Sequence, residues 1–108
     1  MRAALWVFIA GVASASAMAG PADEYGRGYK LAVDKGCFDC HALGVSETGP
    51  SFRAIANRYR FNAKQAQLLP VVIRGGSAGH WGDRFVMWPQ PQLTNEQARL
   101  LVEWILAQ

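Results

Sequence analysis

Apolar residues recur with helical spacing in several stretches of the chain, and no run alternates long enough to build a sheet. Tyr25, Tyr29, Ala32 and Val33 fall on one face of a first helix, with Asp23 available to cap its start and Gly36 to end it. Phe52, Ile55, Ala56 and Tyr59 repeat the spacing over a short second helix that starts at Ser51. Asn62 followed by Gln65 resembles a capping arrangement for a third, which runs toward Arg74, Gly75 and Gly76. Pro70 lies inside that stretch and removes a backbone donor, so a kink or a late start is expected there. The last helix is the clearest. Thr94 and Gln97 form a capping box ahead of the stripe Leu100, Leu101, Trp104 and Ile105. The chain therefore reads as all helix and loop, without internal repeats.

One apolar run does not fit this pattern. MRAALWVFIAGVASASAMAG carries an early positive charge, an apolar stretch over residues 3–13 and then small residues, the form of a secretory signal peptide. The stretch is shorter than the ~20 residues of a spanning helix, and Ala17 and Ala19 are the small residues a signal peptidase reads. Residues 1–19 are expected to be cleaved, leaving residues 20–108 as a single periplasmic domain without stable membrane insertion. Cleavage removes Arg2, one of the 11 Lys and Arg residues, and none of the 8 Asp and Glu, so the mature net charge is +2. That modest charge forms no run and argues against nucleic acid as a partner. A domain this short stabilises itself only marginally through side-chain burial and gains from a bound group.

The chain has 2 cysteines, both within GCFDCHA, with a histidine directly after the second. No disulfide can therefore close a long loop, although export would permit one. A thioredoxin-like pair wants a strand and helix around its CxxC, which this pattern does not offer. A structural zinc site normally takes four ligands, and the mature chain supplies Cys37, Cys40, His41 and the distant His80. A haem needs two thiols on one edge of the macrocycle and a ligand beneath it, and the single turn Cys37 to Cys40 followed by His41 suits that need. The iron then needs a sixth donor. Met87 is the only methionine after residue 19 and His80 the only other histidine. Met87 follows a loop at residues 82–86 and precedes Trp88, Pro89, Gln90 and Pro91, where two prolines stiffen the chain. Its thioether is a soft donor that favours ferrous iron and leaves no position open to oxygen, which makes an electron carrier and not a catalyst.

KGCFDCHA, TGPSFRAIANRY, VIRGGSAGHWG, the methionine loop and VEWILAQ together resemble the small bacterial class I cytochromes c of the c-551 type, over nearly the whole mature chain. Met87 follows His41 by 46 residues, similar to that family's interval. The resemblance implies an all-α cytochrome c fold of about four short helices and loops wrapped around one haem c, covalently bound through Cys37 and Cys40. His41 and Met87 would be the axial ligands. Pro50 would accept the imidazole N–H on its carbonyl, and Trp81 would donate its indole N–H to a haem propionate. The chain departs from the pattern at Val72, where the family has an arginine that meets a propionate; Arg74 is the expected substitute. It also has Trp88, Pro89 and Gln90 where the family has two prolines and an asparagine.

The implied function is a periplasmic one-electron carrier of a respiratory chain, a monomer that docks on donor and acceptor redox proteins. The alternatives are a haem subunit docked permanently in a larger oxidoreductase and a haem enzyme or gas sensor with an open sixth position. Phe38, Phe85, Val86, Trp88 and Pro89 are expected around the exposed haem edge. Trp104 reads as a core aromatic against the first helix and the haem, His80 as a loop residue, and Arg53, Arg58, Arg60 and Lys64 as a solvated face.

Overall fold

The computed structural model describes residue 4, residues 6–14 and residues 20–108. Residues 6–14 form neither helix nor strand, and Trp6, Phe8, Ile9 and Val12 stay exposed. The expected cleavage point lies outside the described residues. No helix among the described residues is long and apolar enough to cross a membrane.

Helix α1 spans Pro21–Asp34 and starts earlier than its expected cap. Gly20 is the residue before it, and Asp23 lies in the first turn with its N–H on Gly20 O at 3.0 Å. Asp23 and Glu24 therefore face the positive end of the helix dipole. The end is the expected one: Gly36 adopts φ 73°, a left-handed conformation that glycine takes without a Cβ penalty. That turn delivers the chain straight into a 3₁₀ turn, Cys37–Asp39.

Helix α5, Asn95–Leu106, packs along α1. Their seam is built from small residues. A Cβ on Gly28 would stand 2.4 Å from Trp104 Cβ, and Ala32 is fully buried. Tyr25, Tyr29 and Val33, expected on the buried face, instead flank the seam and remain 45%, 47% and 49% exposed. The backbones approach where the side chains are smallest, and the larger ones lie to each side. The capping box of α5 is complete: Gln97 N–H donates to Thr94 Oγ1 and Thr94 N–H to Gln97 Oε1, each at 3.0 Å.

Helix α2, Phe52–Tyr59, is capped by Ser51, whose Oγ accepts from Ala54 N–H at 3.0 Å. The third expected helix is two. Asn62 caps α3, Ala63–Ala66, and α4 restarts at Leu69–Gly75 with Pro70 in its first turn. A proline there needs no hydrogen bond, whereas in a continuous helix its ring would press on the carbonyl of Ala66.

Residues read from sequence as loop form a two-stranded antiparallel ribbon, β1 Ser77–Gly79 and β2 Gly82–Met87. Ser77 pairs with Met87 and Ala78 with Val86, and an irregularity follows before Gly79 meets Gly82. Both glycines at the turn have positive φ, 82° and 74°. The ribbon is too short and too exposed to need an alternating pattern, which is why periodicity missed it.

The core joins α1, α2 and α5 through Ala32, Phe52, Leu93, Leu101, Trp104 and Ile105. Trp104 meets Phe52 edge-on at 4.8 Å between ring centres and also touches Tyr25, Tyr29 and Phe38. Phe38, expected on the surface, belongs to this aromatic cluster, 5.3 Å from Phe52. Helices α2 and α4 each pack on α5 and scarcely on one another, so a cleft opens between them.

Candidate functional site

The cleft is apolar and open on one side. Its empty volume, counting solvent at the mouth, is about 1240 Å³. Phe52 and Ile55 from α2, Leu69, Val72 and Ile73 from α4, and Leu101, Val102 and Ile105 from α5 supply most of the lining. Cys37, His41 and Pro50 reach it from the segment between α1 and α2, and Trp81, Phe85 and Met87 from the ribbon region.

The 3₁₀ turn determines how the first group is displayed. His41 N–H closes on Cys37 O at 3.0 Å, so the turn that begins at Cys37 runs directly into the histidine. Both cysteines are free thiols, Cys37 half-buried and lining the cleft, Cys40 exposed at the end of the turn. Burial pushes the Cys37 thiol above its ordinary value; a backbone hydrogen bond opposes this and the charge of Asp39 adds to it.

His41 is half-buried, its ring stacked on Phe52 at 5.2 Å between centres. Its Nδ1 lies 2.6 Å from the carbonyl oxygen of Pro50, which is itself buried. A carbonyl only accepts, so Nδ1 carries the proton and the Nε2 lone pair is left for a metal. Gly49 permits this approach, since a Cβ there would come within 3.0 Å of both Cys40 O and His41 Cε1.

Met87 is the last residue of β2 and half-buried at the cleft. Gly76 lies beneath it, where a Cβ would meet Met87 O at 2.8 Å. Gln90 donates from its backbone to Arg74 O at 3.1 Å, while its side-chain amide turns to Trp88 O. His80 also lines the cleft, with Nδ1 2.7 Å from Ser77 Oγ.

Trp81 and Val72 both line the cleft. Arg74 does not. Its Nε donates to Leu93 O at 2.8 Å and its Nη1 to Asn95 Oδ1 at 2.6 Å, so it ties α4 to the start of α5 and does not substitute for the arginine missing at Val72. Arg58 is exposed, as expected of the solvated face, but sequence reasoning did not place it where it also stands, at the cleft with its guanidinium 4.6 Å over the Trp81 ring. The available signal was its place three residues after Ile55 and next to Tyr59, on the edge of the apolar stripe of α2. Trp104, expected against the haem, does not line the cleft and packs wholly within the aromatic cluster.

Among the described residues no group of three or more His, Cys, Asp or Glu is placed to hold a metal ion, which leaves a zinc site short of donors. What remains is an apolar cleft lined by Cys37 and by an imidazole with a free nitrogen, with Cys40 exposed one turn on from Cys37. These donors fit a covalently attached haem.

The class is therefore a small helical haem protein of the c type, and comparison with known proteins makes it specific. A family model for cytochrome c matches residues 25–108, and the chain belongs to that family. It is 37% identical over 79 residues to cytochrome c-551 of Azotobacter vinelandii, covering 73% of this chain and 94% of that one. Its identity to cytochrome c-552 of Hydrogenobacter thermophilus is 33% over 78 residues, 72% of this chain and 78% of the relative. The crystal structure of wild-type Nitrosomonas europaea cytochrome c552 superposes with a TM-score of 0.66 at 33% identity, over 72% of this chain and 95% of that one. The protein is a haem c electron carrier with Cys37 and Cys40 as its CxxCH thiols.

Proposed function

We propose that the protein is a periplasmic one-electron carrier with His41 and Met87 as axial ligands, exported by residues 1–19 and acting as a soluble monomer between redox proteins. Haem c supplies a one-electron ferric/ferrous couple. His41 offers Nε2 as the fifth donor, and the Nδ1–H bond to Pro50 holds the imidazole in that tautomer and orientation. Met87 offers a thioether as the sixth, a soft donor that favours the ferrous state and raises the potential. The apolar walls from α2, α4 and α5 keep water from the ring faces. Trp88 and Val86, 78% and 62% exposed beside Met87, give partners an apolar contact.

The observation that carries this reading is the 2.6 Å contact of His41 Nδ1 with Pro50 O inside a cleft that Met87 also lines. It is tested by the visible to near-infrared spectrum of the ferric holoprotein made with a haem-attachment system in a bacterial periplasm. Low-spin iron with the far-red charge-transfer band of methionine sulfur is expected. Low-spin iron without that band assigns the position to His80 or another strong donor, and high-spin iron gives an open site suited to an enzyme or a sensor.

A further inference from the structure

Arg58 is the only lysine or arginine among the residues lining the cleft, and no aspartate or glutamate lines it. The ion pair found among the described residues is Lys30 with Asp34, so Arg58 meets no carboxylate there. One of its five donors is used: Nη1 donates to the backbone carbonyl of His80. Its Cζ stands 4.6 Å over the ring of Trp81 and 5.2 Å over that of Tyr59, and the two rings meet edge-on. The guanidinium is thus held by two aromatic faces and one carbonyl at the edge of an apolar cleft, with donors to spare and no anion.

The geometry points to Arg58 as the cation that seats one haem propionate at the rim of the cleft, beside Trp81. This rests on the haem reading above. Val72 offers no charge to that group, and Arg74 is committed to Leu93 and Asn95. A propionate is the anion a haem brings to such a rim, and a planar guanidinium matches a carboxylate with two parallel donors. Because Nη1 also holds His80 O, the same side chain fixes the ribbon turn against α2.

A carboxylate beside a guanidinium keeps its charge to lower pH. A propionate seated there would keep its charge to lower pH than one without a cation beside it. The other titratable or charged groups near this rim are Tyr59 on α2, His80 at the ribbon turn and Arg84 on β2, whose guanidinium lies over Phe85; α5 contributes only apolar residues to the cleft. Their influence is common to wild type and variant, so the difference between the two isolates Arg58.

The test measures reduction potential against pH, with infrared spectra of the propionates, for wild type, Arg58→Lys and Arg58→Gln. In Arg58→Gln the potential falls with rising pH over a range where wild type does not, since a propionate losing its proton adds negative charge that favours ferric iron. A protonated-propionate band persists to higher pH in Arg58→Gln than in wild type or Arg58→Lys. Identical pH profiles and infrared spectra in wild type and Arg58→Gln, with haem attached and the far-red band intact in both, overturn the proposal and leave the haem reading standing. Where Arg58→Gln does not fold, Arg58→Lys decides: a carboxylate band of one propionate shifted from that of wild type supports the seat, since an ammonium cannot offer two parallel donors, and a band identical to wild type overturns it. A wild-type protein without covalent haem overturns it together with the reading beneath it.

Discussion

His41 has two ring nitrogens, and the hydrogen bond to Pro50 O leaves one of them to iron. That arrangement depends on a residue without a side chain. A Cβ at position 49 would press on Cys40 O, His41 Cε1 and His41 Nδ1 at 3.0 to 3.1 Å, and two of these atoms belong to the ring that must stay in place. Gly49→Ala is expected to destabilise the holoprotein by about 1–3 kcal/mol, the usual cost of overpacking, read as a lower melting temperature. Met87→Ala removes the thioether and no buried core residue, so it should keep the fold. It should also abolish the far-red band, admit carbon monoxide to the ferrous protein and lower the potential. At this scale the chemistry was legible where residue types are rare: CFDCH and a single methionine after residue 19 leave few readings. Charge alone was the weaker cue. Arg58 reads as solvated and is exposed, yet it also stands over Trp81 at the cleft, while Arg74, two residues after Val72, is held by Leu93 O and Asn95.

The helices were legible because their caps and stripes are local, and α2 and α5 start where Ser51 and Thr94 place them. What periodicity could not give was the side of α1 that touches α5, because the contact runs through Gly28 and Ala32 and not through the tyrosines. Gly28→Ala sets a Cβ 2.4 Å from Trp104 Cβ, which is backbone-anchored and cannot swing away. The helices must separate, and a loss of about 1–3 kcal/mol or more is expected in denaturant unfolding. Thr94→Ala removes the acceptor of Gln97 N–H at an exposed helix start and should cost about 1 kcal/mol. Pro70→Ala should cost less than either, because a residue in the first turn of α4 has no intrahelical partner for its N–H. The ribbon was illegible for a different reason. GDRFVM has mostly exposed positions, so no buried face imposed a period of two, and the turn glycines set the register.

The molecule as a whole is built around a space it does not fill. Helices α2 and α4 lean on α5 and hardly on each other, and they turn the half-buried side chains of Ile55, Leu69, Val72 and Ile73 toward the cleft. Each forfeits part of the ~1.5–3 kcal/mol that full burial would contribute, and the four together rival the lower end of the ~5–15 kcal/mol net stability of a whole domain. A chain this short has no disulfide to offset that loss, since its 2 cysteines are the CxxCH pair. The α1–α5 seam does not depend on the cleft in the same way, whereas the cluster of Phe38, Phe52 and Trp104 is tied to it through Phe52, which lines it. Cys37→Ala with Cys40→Ala, purified free of haem, should therefore lose the cooperative unfolding transition and the near-ultraviolet dichroism of its aromatic cluster while keeping part of its far-ultraviolet helix signal in α1 and α5. A haem-free variant with a full near-ultraviolet spectrum and a sharp melt would mean that the side-chain core alone holds α2 and α4 apart. The cleft would then be a preformed site rather than the missing part of the core.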